Sequence, residues 1–143
     1  MNDRLFVDTN VVVYLFDADA PDKQERAREI FEAEGGKGRL VLSTQVLQEF
    51  FVTVTRKLQH PLPMDEAEAA ARELAMLDVV EIEVPIVLRA IALARQHTLS
   101  LWDALIVEAA VQRGCTRLLS EDLQNGRRFG DLTIENPFAA PTA

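Results

Sequence analysis

The stretch Leu5-Phe6-Val7-Asp8-Thr9-Asn10 constrains the fold of this chain more than any other. Three apolar residues end abruptly in a carboxylate and two small polar residues, and a second apolar run, Val11 to Phe16, follows at once. A short, bounded apolar run reads as a fully buried strand. Asp8 then sits at that strand's carboxyl end, with Thr9 or Asn10 placed to cap a helix beginning near Val11. In open α/β sheets, ligands bind in the crevice beyond the carboxyl ends of the strands. Asp8 is therefore a site candidate from position alone, set against the plainer role of a cap or turn residue, which Asp also favours.

The same alternation runs along the chain. After a loop at 17–21, Asp22 to Glu34 keeps helical spacing through Ala27, Ile30 and Phe31, and Gly35 to Gly38 stops it. That glycine run lacks a downstream Lys-Ser/Thr and is no phosphate-cradling loop. Leu40 to Ser43 reads as a second strand, with Thr44 capping a helix to about Lys57. His60-Pro61-Leu62-Pro63 breaks the chain. An alanine-rich helix over Met64–Leu77, a strand over Val79–Ile82, and helices over Pro85–Gln96 and Ser100–Arg113 follow. Arg117 to Ser120 is a fourth strand and Leu132 to Glu135 a short last one. Strands separated by helices pair in parallel through right-handed crossovers. The expectation is an α/β chain with a single doubly wound domain over residues 1–138. Its sheet is mostly parallel, of four to five strands with helices on both faces, and a disordered tail occupies 139–143.

Composition narrows the chemistry. The chain has 143 residues, enough for one sizeable core. No apolar run reaches transmembrane length and no signal sequence opens the chain, so a cytoplasmic location is expected. Its one cysteine, Cys115, excludes an internal disulfide, and His60 and His97 lack partners at metal-ligand spacing, which argues against zinc. A net charge of −8 argues against coating nucleic acid by simple electrostatics. It leaves room for an enzyme whose acids are gathered around cations.

Further acids join Asp8. Ser100-Leu101-Trp102-Asp103 fits a capping box, so Asp103 could serve only the helix start. Its angular position says more: it lies roughly 160° from the polar stripe of Glu108 and Gln112, near Ile106, Val107 and Ala110. An ionised carboxylate on that inward side is costly unless it meets a cation or donors. Asp122 follows the fourth strand as Asp8 follows the first, though Glu121 could equally be the inward member of that pair. Glu49 lies at the border of an apolar helix face formed by Val46, Leu47, Phe50, Val54 and Leu58. Carboxylates without His or Cys select hard cations such as Mg²⁺ or Mn²⁺, which can bridge a phosphodiester and activate water. No Gly-x-Ser-x-Gly occurs, and neither histidine adjoins a candidate nucleophile.

Phe6-Val7-Asp8-Thr9-Asn10, Gln48-Glu49-Phe50, Trp102-Asp103-Ala104 and Leu119-Ser120-Glu121-Asp122-Leu123 resemble the PIN-domain ribonucleases, most of all the VapC-type toxins of bacterial toxin–antitoxin pairs. The resemblance runs in order over almost the whole chain, including Gln124 to Arg128 and Asn136-Pro137-Phe138. It implies an Mg²⁺ or Mn²⁺ site made by Asp8, Glu49, Asp103 and Asp122, with Thr9 and Ser120 in support. It also implies an RNA substrate, inhibition by a cognate antitoxin and a homodimer. It selects Asp122 over Glu121 and lifts Glu49 from a border residue to a ligand, directly or through water. Arg127 and Arg128 are candidates for RNA phosphates, against the plainer reading of a solvated pair. The rivals are an aspartyl phosphatase of haloacid-dehalogenase type, which needs a second Asp where Asn10 stands, and a catalytically inactive binding module. Apolar surface on the helices over 64–77 and 85–96 gives the homodimer its own physical reason.

Overall fold

A computed structural model describes residues 3–139. Six strands form one sheet in the order β3-β2-β1-β4-β6-β5. They are β1 (Leu5–Val7), β2 (Leu40–Ser43), β3 (Asp78–Val80), β4 (Arg117–Leu119), β5 (Arg128–Phe129) and β6 (Leu132–Glu135). All neighbours pair in parallel except β5 with β6. The helices are α1 (Thr9–Tyr14), α2 (Pro21–Gly35), α3 (Thr44–Val52), α4 (Met64–Leu74), α5 (Val84–His97) and α6 (Leu101–Gln112). The chain steps outward from β1 to β2 to β3, then returns to place β4 on the other side of β1. Right-handed crossovers put the helices of those two excursions on opposite faces. Strand order therefore reverses between β1 and β4, and the crevice at their carboxyl ends is where such sheets bind ligands.

The centre of the sheet is dry because its strands are apolar at every position: Leu5, Phe6, Val7, Val41, Leu42 and Leu118 are all buried. Phe50 of α3 is also fully buried and meets Phe16 edge-on at 5.3 Å between ring centres. Each such side chain contributes about 1.5–3 kcal/mol over its exposed state. Cys115 belongs to this core, and burial pushes its thiol up to about 12, so it is an inert apolar residue.

The structure shifts several expected boundaries. Asp8 itself caps α1, accepting from Thr9 N at 2.7 Å, so the helix starts at Thr9 rather than near Val11. Ser43 rather than Thr44 caps α3, through Val46 N at 3.3 Å. The regular part of α3 ends at Val52, and Thr53–Lys57 form a π-helical turn instead of continuing to Lys57 as α-helix. The cause is local: Thr55 Oγ1 donates to the Phe51 carbonyl at 2.7 Å within a run of β-branched residues, which bends the ladder. Helix α4 stops at Leu74, three residues before Leu77, and β3 covers Asp78–Val80 rather than Val79–Ile82. A sixth strand, β5, extends the expected four or five. It forms a hairpin with β6 through Gly130-Asp131, where Gly130 takes φ +60°, a left-handed conformation natural to glycine. The tail expected at 139–143 lies outside the described residues from Ala140 onward. No helix among the described residues is long and apolar enough to cross a membrane.

Candidate active site

The register of the two central strands builds the site. Val7 lies opposite Leu119, and Asp8 N donates to the Leu119 carbonyl at 2.9 Å, so Asp8 and Ser120 leave the sheet side by side. Ser120 Oγ then donates to Asp8 Oδ2 at 2.7 Å. Asp8 is only 6% exposed, and its ionisation responds to that. Burial pushes its carboxyl from 3.8 up to about 6, hydrogen bonds from Ser120 and Thr9 N pull it back, and the charges of Glu49 and Asp122 push it further up. Asp8 is both the cap of α1 and the buried floor of an acidic cleft, so the two sequence readings of this residue are compatible.

The other acids arrive from separate segments. A cleft of about 600 Å³ is lined by Asp8, Glu49, Asp103 and Asp122 together with Thr9, Asn10, Gln45, Lys57 and Trp102. Thr9 Oγ1 donates to Glu49 Oε1 at 2.7 Å, tying α1 to α3 across 40 positions of sequence. Asp103 lies on the first turn of α6, whose cap is Ser100, accepting from Asp103 N at 3.1 Å. The Asp103 carboxylate does not return the capping bond, and among the described residues it has no hydrogen-bond donor. Its charge is left for the cleft. Asp122 lines the cleft, whereas Glu121 turns away to Tyr14 and Lys23. Burial alone would raise the Glu121 carboxyl, but hydrogen bonds from Lys23 and Tyr14 hold it below its ordinary value.

Three supports escape a sequence reading. Asn10 ties the strand ends together: Nδ2 donates to Asp122 Oδ2 at 3.1 Å and reaches Asp8 Oδ2 at 3.3 Å, while Oδ1 accepts Glu121 N at 3.0 Å. Gln45, also 6% exposed, sends Nε2 to the Trp102 carbonyl at 3.2 Å and to Glu49 Oε2 at 3.4 Å. Its Oε1 is buried without a hydrogen-bond partner among the described residues. Tyr14 and Lys23 grip Glu121 and so fix the backbone between Ser120 and Asp122. No sequence signal singles these out: on the helix Gln45 falls beside Gln48 and Glu49, away from the apolar face, and reads as a solvated residue. Arg127 and Arg128 do not line the cleft: Arg127 lies over the Phe129 ring at 4.8 Å, and Arg128 is exposed on β5.

Among the described residues, no three acidic, histidine or cysteine side chains close on one point as a metal cage. Neutral donors hold Asp8, Glu49 and Asp122 instead, and all four acids lie on the walls of a shared cleft. Mg²⁺ suits that arrangement, because it keeps several waters and takes one or two carboxylates plus substrate phosphates rather than an all-protein cage. An all-oxygen donor set that includes one buried carboxylate fits a hard divalent cation.

A family profile described as PIN domain matches residues 5–128. The chain belongs to the PIN-domain family. A VapC ribonuclease of Mycobacterium bovis is 33% identical over 121 residues, 82% of this chain and 89% of that one. A solved toxin–antitoxin complex from Klebsiella pneumoniae superposes with a TM-score of 0.70 at 20% identity, covering 96% of this chain and 99% of that one. A sarcin-ricin-loop-cleaving VapC toxin of Mycobacterium tuberculosis gives 0.65 at 20% identity over 80% of this chain and 86% of its own. These two likenesses show the shared PIN fold.

Proposed function

We propose that this PIN-domain protein is a metal-dependent endoribonuclease and the toxin of a type II toxin–antitoxin pair. The observation that carries the proposal is the convergence of Asp8, Glu49, Asp103 and Asp122, from four separate segments, on one cleft at the reversal of strand order. The 33% identity to a VapC ribonuclease supplies the substrate class. Asp8 and Asp103 would be the principal ligands of Mg²⁺ or Mn²⁺, with Glu49 and Asp122 completing the set directly or through water. Such an ion supplies Lewis acidity at a phosphoryl oxygen and a water acidic enough to attack at neutral pH.

The protein's own part is to hold these carboxylates in place. Ser120 and Thr9 N orient the two oxygens of Asp8. The Thr9 hydroxyl and Gln45 fix Glu49, where it can also orient the attacking water. Asn10 sets Asp122. Arg127 and Arg128, away from the cleft, enter this reading only as contacts for a longer RNA.

An aspartyl phosphatase needs an acid at position 10, and Asn10 donates hydrogen bonds to two carboxylates there, a role an Asp could not fill. An inactive module gives no reason to hold four acids around one cleft. The relatives solved as toxin–antitoxin complexes support a cognate antitoxin, and action on cellular RNA puts the protein in the cytoplasm. Val84, Leu88 and Ile91 form an exposed apolar stripe on α5, which we assign to a homodimer. Light scattering should give twice 16.0 kDa for the native chain and the monomer mass for Leu88→Asp. The activity is tested with purified protein and single-stranded RNA: cleavage with Mg²⁺ or Mn²⁺ and none in EDTA is expected. Cleavage that persists in EDTA would contradict the metal-dependent reading.

A further inference from the structure

We propose that Trp102 is the platform on which an unpaired nucleobase stacks beside the phosphate that the acids address. This rests on the nuclease reading and deepens it by naming how a single strand is held. Other rings of the described chain are packed: Phe6 and Phe50 are fully buried, Tyr14 meets Phe138 edge-on at 5.0 Å, and Phe129 meets His97 at 5.4 Å. Trp102 is instead 61% exposed, leaving the largest side chain in the sequence in water. It stands one residue before Asp103 on the first turn of α6, and both line the same cleft. Buried Gln45 anchors the Trp102 carbonyl at 3.2 Å and also approaches Glu49, so ring and acids are mounted on one rigid frame.

Chemistry selects the occupant. A single RNA strand alternates a phosphate, which needs a cation among acids, with a flat base, which needs an aromatic face. The cleft offers both within one helical turn. The cleft is also lined by Val52, 45% exposed, and by Lys57, the one cation among its described lining residues. A chain of net charge −8 draws little polyanion by electrostatics alone, so stacking supplies an attraction that charge does not. Paired bases are hidden inside a duplex, so the platform favours unpaired RNA.

Trp102 is the only tryptophan in the sequence, so intrinsic fluorescence reads the platform directly and without turnover. Wild-type protein in Ca²⁺ is titrated with a short single-stranded oligoadenylate, and with the same strand annealed into a duplex. Saturable quenching by the single strand, several-fold weaker by the duplex, is expected. In Mg²⁺, Trp102→Ala should raise KM for RNA about tenfold with kcat within about twofold, and Trp102→Phe should restore most of the loss. Flat fluorescence and an unchanged KM in a protein that still cleaves RNA would overturn the platform and leave the nuclease standing. Absence of both cleavage and binding would remove the nuclease reading, and the platform with it. If the emission shifts on diluting the protein without RNA, and Trp102→Ala turns a dimer into a monomer, the ring is a self-association contact and the proposal is wrong.

Discussion

The two ends of the parallel strands are both rich in charge, and they treat it in opposite ways. Near the amino ends three acids each meet an arginine, whereas the acids lining the cleft at the carboxyl ends are in no ion pair among the described residues. Glu121, which pairs with Lys23, lies outside that cleft. Asp78 pairs with Arg4 at 3.2 Å and with Arg113, Asp3 pairs with Arg117 at 3.5 Å, and Glu34 lies 3.7 Å from Arg39. Hydrogen bonding from Thr116, helped by the Arg117 and Arg39 charges, holds Asp3 below its ordinary value. At the carboxyl ends, Asp8, Glu49 and Asp122 are met by the neutral side chains of Thr9, Asn10, Gln45 and Ser120, and Asp8 is driven up to about 6. At the amino end these acids are answered by arginines already in the chain. The cleft acids at the carboxyl end have no such partners, and on the function proposed above a divalent cation from outside supplies the missing charge.

The sharpest way to break that contrast is to discharge the floor of the cleft. Asp8→Asn should reduce RNA cleavage by orders of magnitude while the protein stays folded, because Asn keeps the cap and loses the charge. A variant cleaving at wild-type rate would remove Asp8 from the site. The same variant sharpens the pH dependence of the metal-free protein. Because the folded pKa of Asp8 is raised, its contribution to stability is full below 3.8 and is lost as pH rises through about 6. The loss is roughly 3 kcal/mol for a shift of about two units. Denaturant titrations in EDTA at pH 4 and pH 7 should show that decline in wild type and not in Asp8→Asn. Divalent metal should restore stability at pH 7, by about 2.7 kcal/mol at a hundred times its Kd. Equal stability at both pH values would mean that the acids do not strain the fold.

A smaller effect is expected at the other end. Asp78→Asn removes the partner of Arg4 and Arg113, but these side chains are about a third exposed and water screens them. A loss of about 1 kcal/mol, or roughly 2–4 °C in Tm, with cleavage unchanged is the expected result. A large fall in cleavage would show the two ends to be coupled, contrary to the contrast drawn here.

Much of this architecture is legible in the sequence because apolar periodicity and strand-end position are local. Asp8 is marked by the abrupt end of an apolar run, and Asp103 by its angle on a helix that is apolar nearly all round. What the sequence hides is relational. Asn10 reads as a cap until β4 brings Asp122 within 3.1 Å, 112 positions away. Glu49 reads as a border residue until Thr9 arrives from α1 to hold it. The two-residue β5 has too few positions to show alternation, and the π turn after Val52 depends on one threonine hydroxyl rather than on any period. Trp102, one of many apolar residues on α6, stands out only once its exposure is known.

The central claim rests on the two acids of that helix, Asp103 and Glu108. Asp103 lines the cleft with its carboxylate free of donors among the described residues, whereas Glu108 is not among the residues lining the cleft. Cleavage of single-stranded RNA in Mg²⁺ or Mn²⁺ by Asp103→Asn and Glu108→Gln, both shown folded by circular dichroism, compares them directly. The account predicts a fall of orders of magnitude for Asp103→Asn and no more than about a twofold change for Glu108→Gln. A folded, fully active Asp103→Asn would contradict it, because the acid would then serve only the helix start and the cleft would lose its reason to hold a metal.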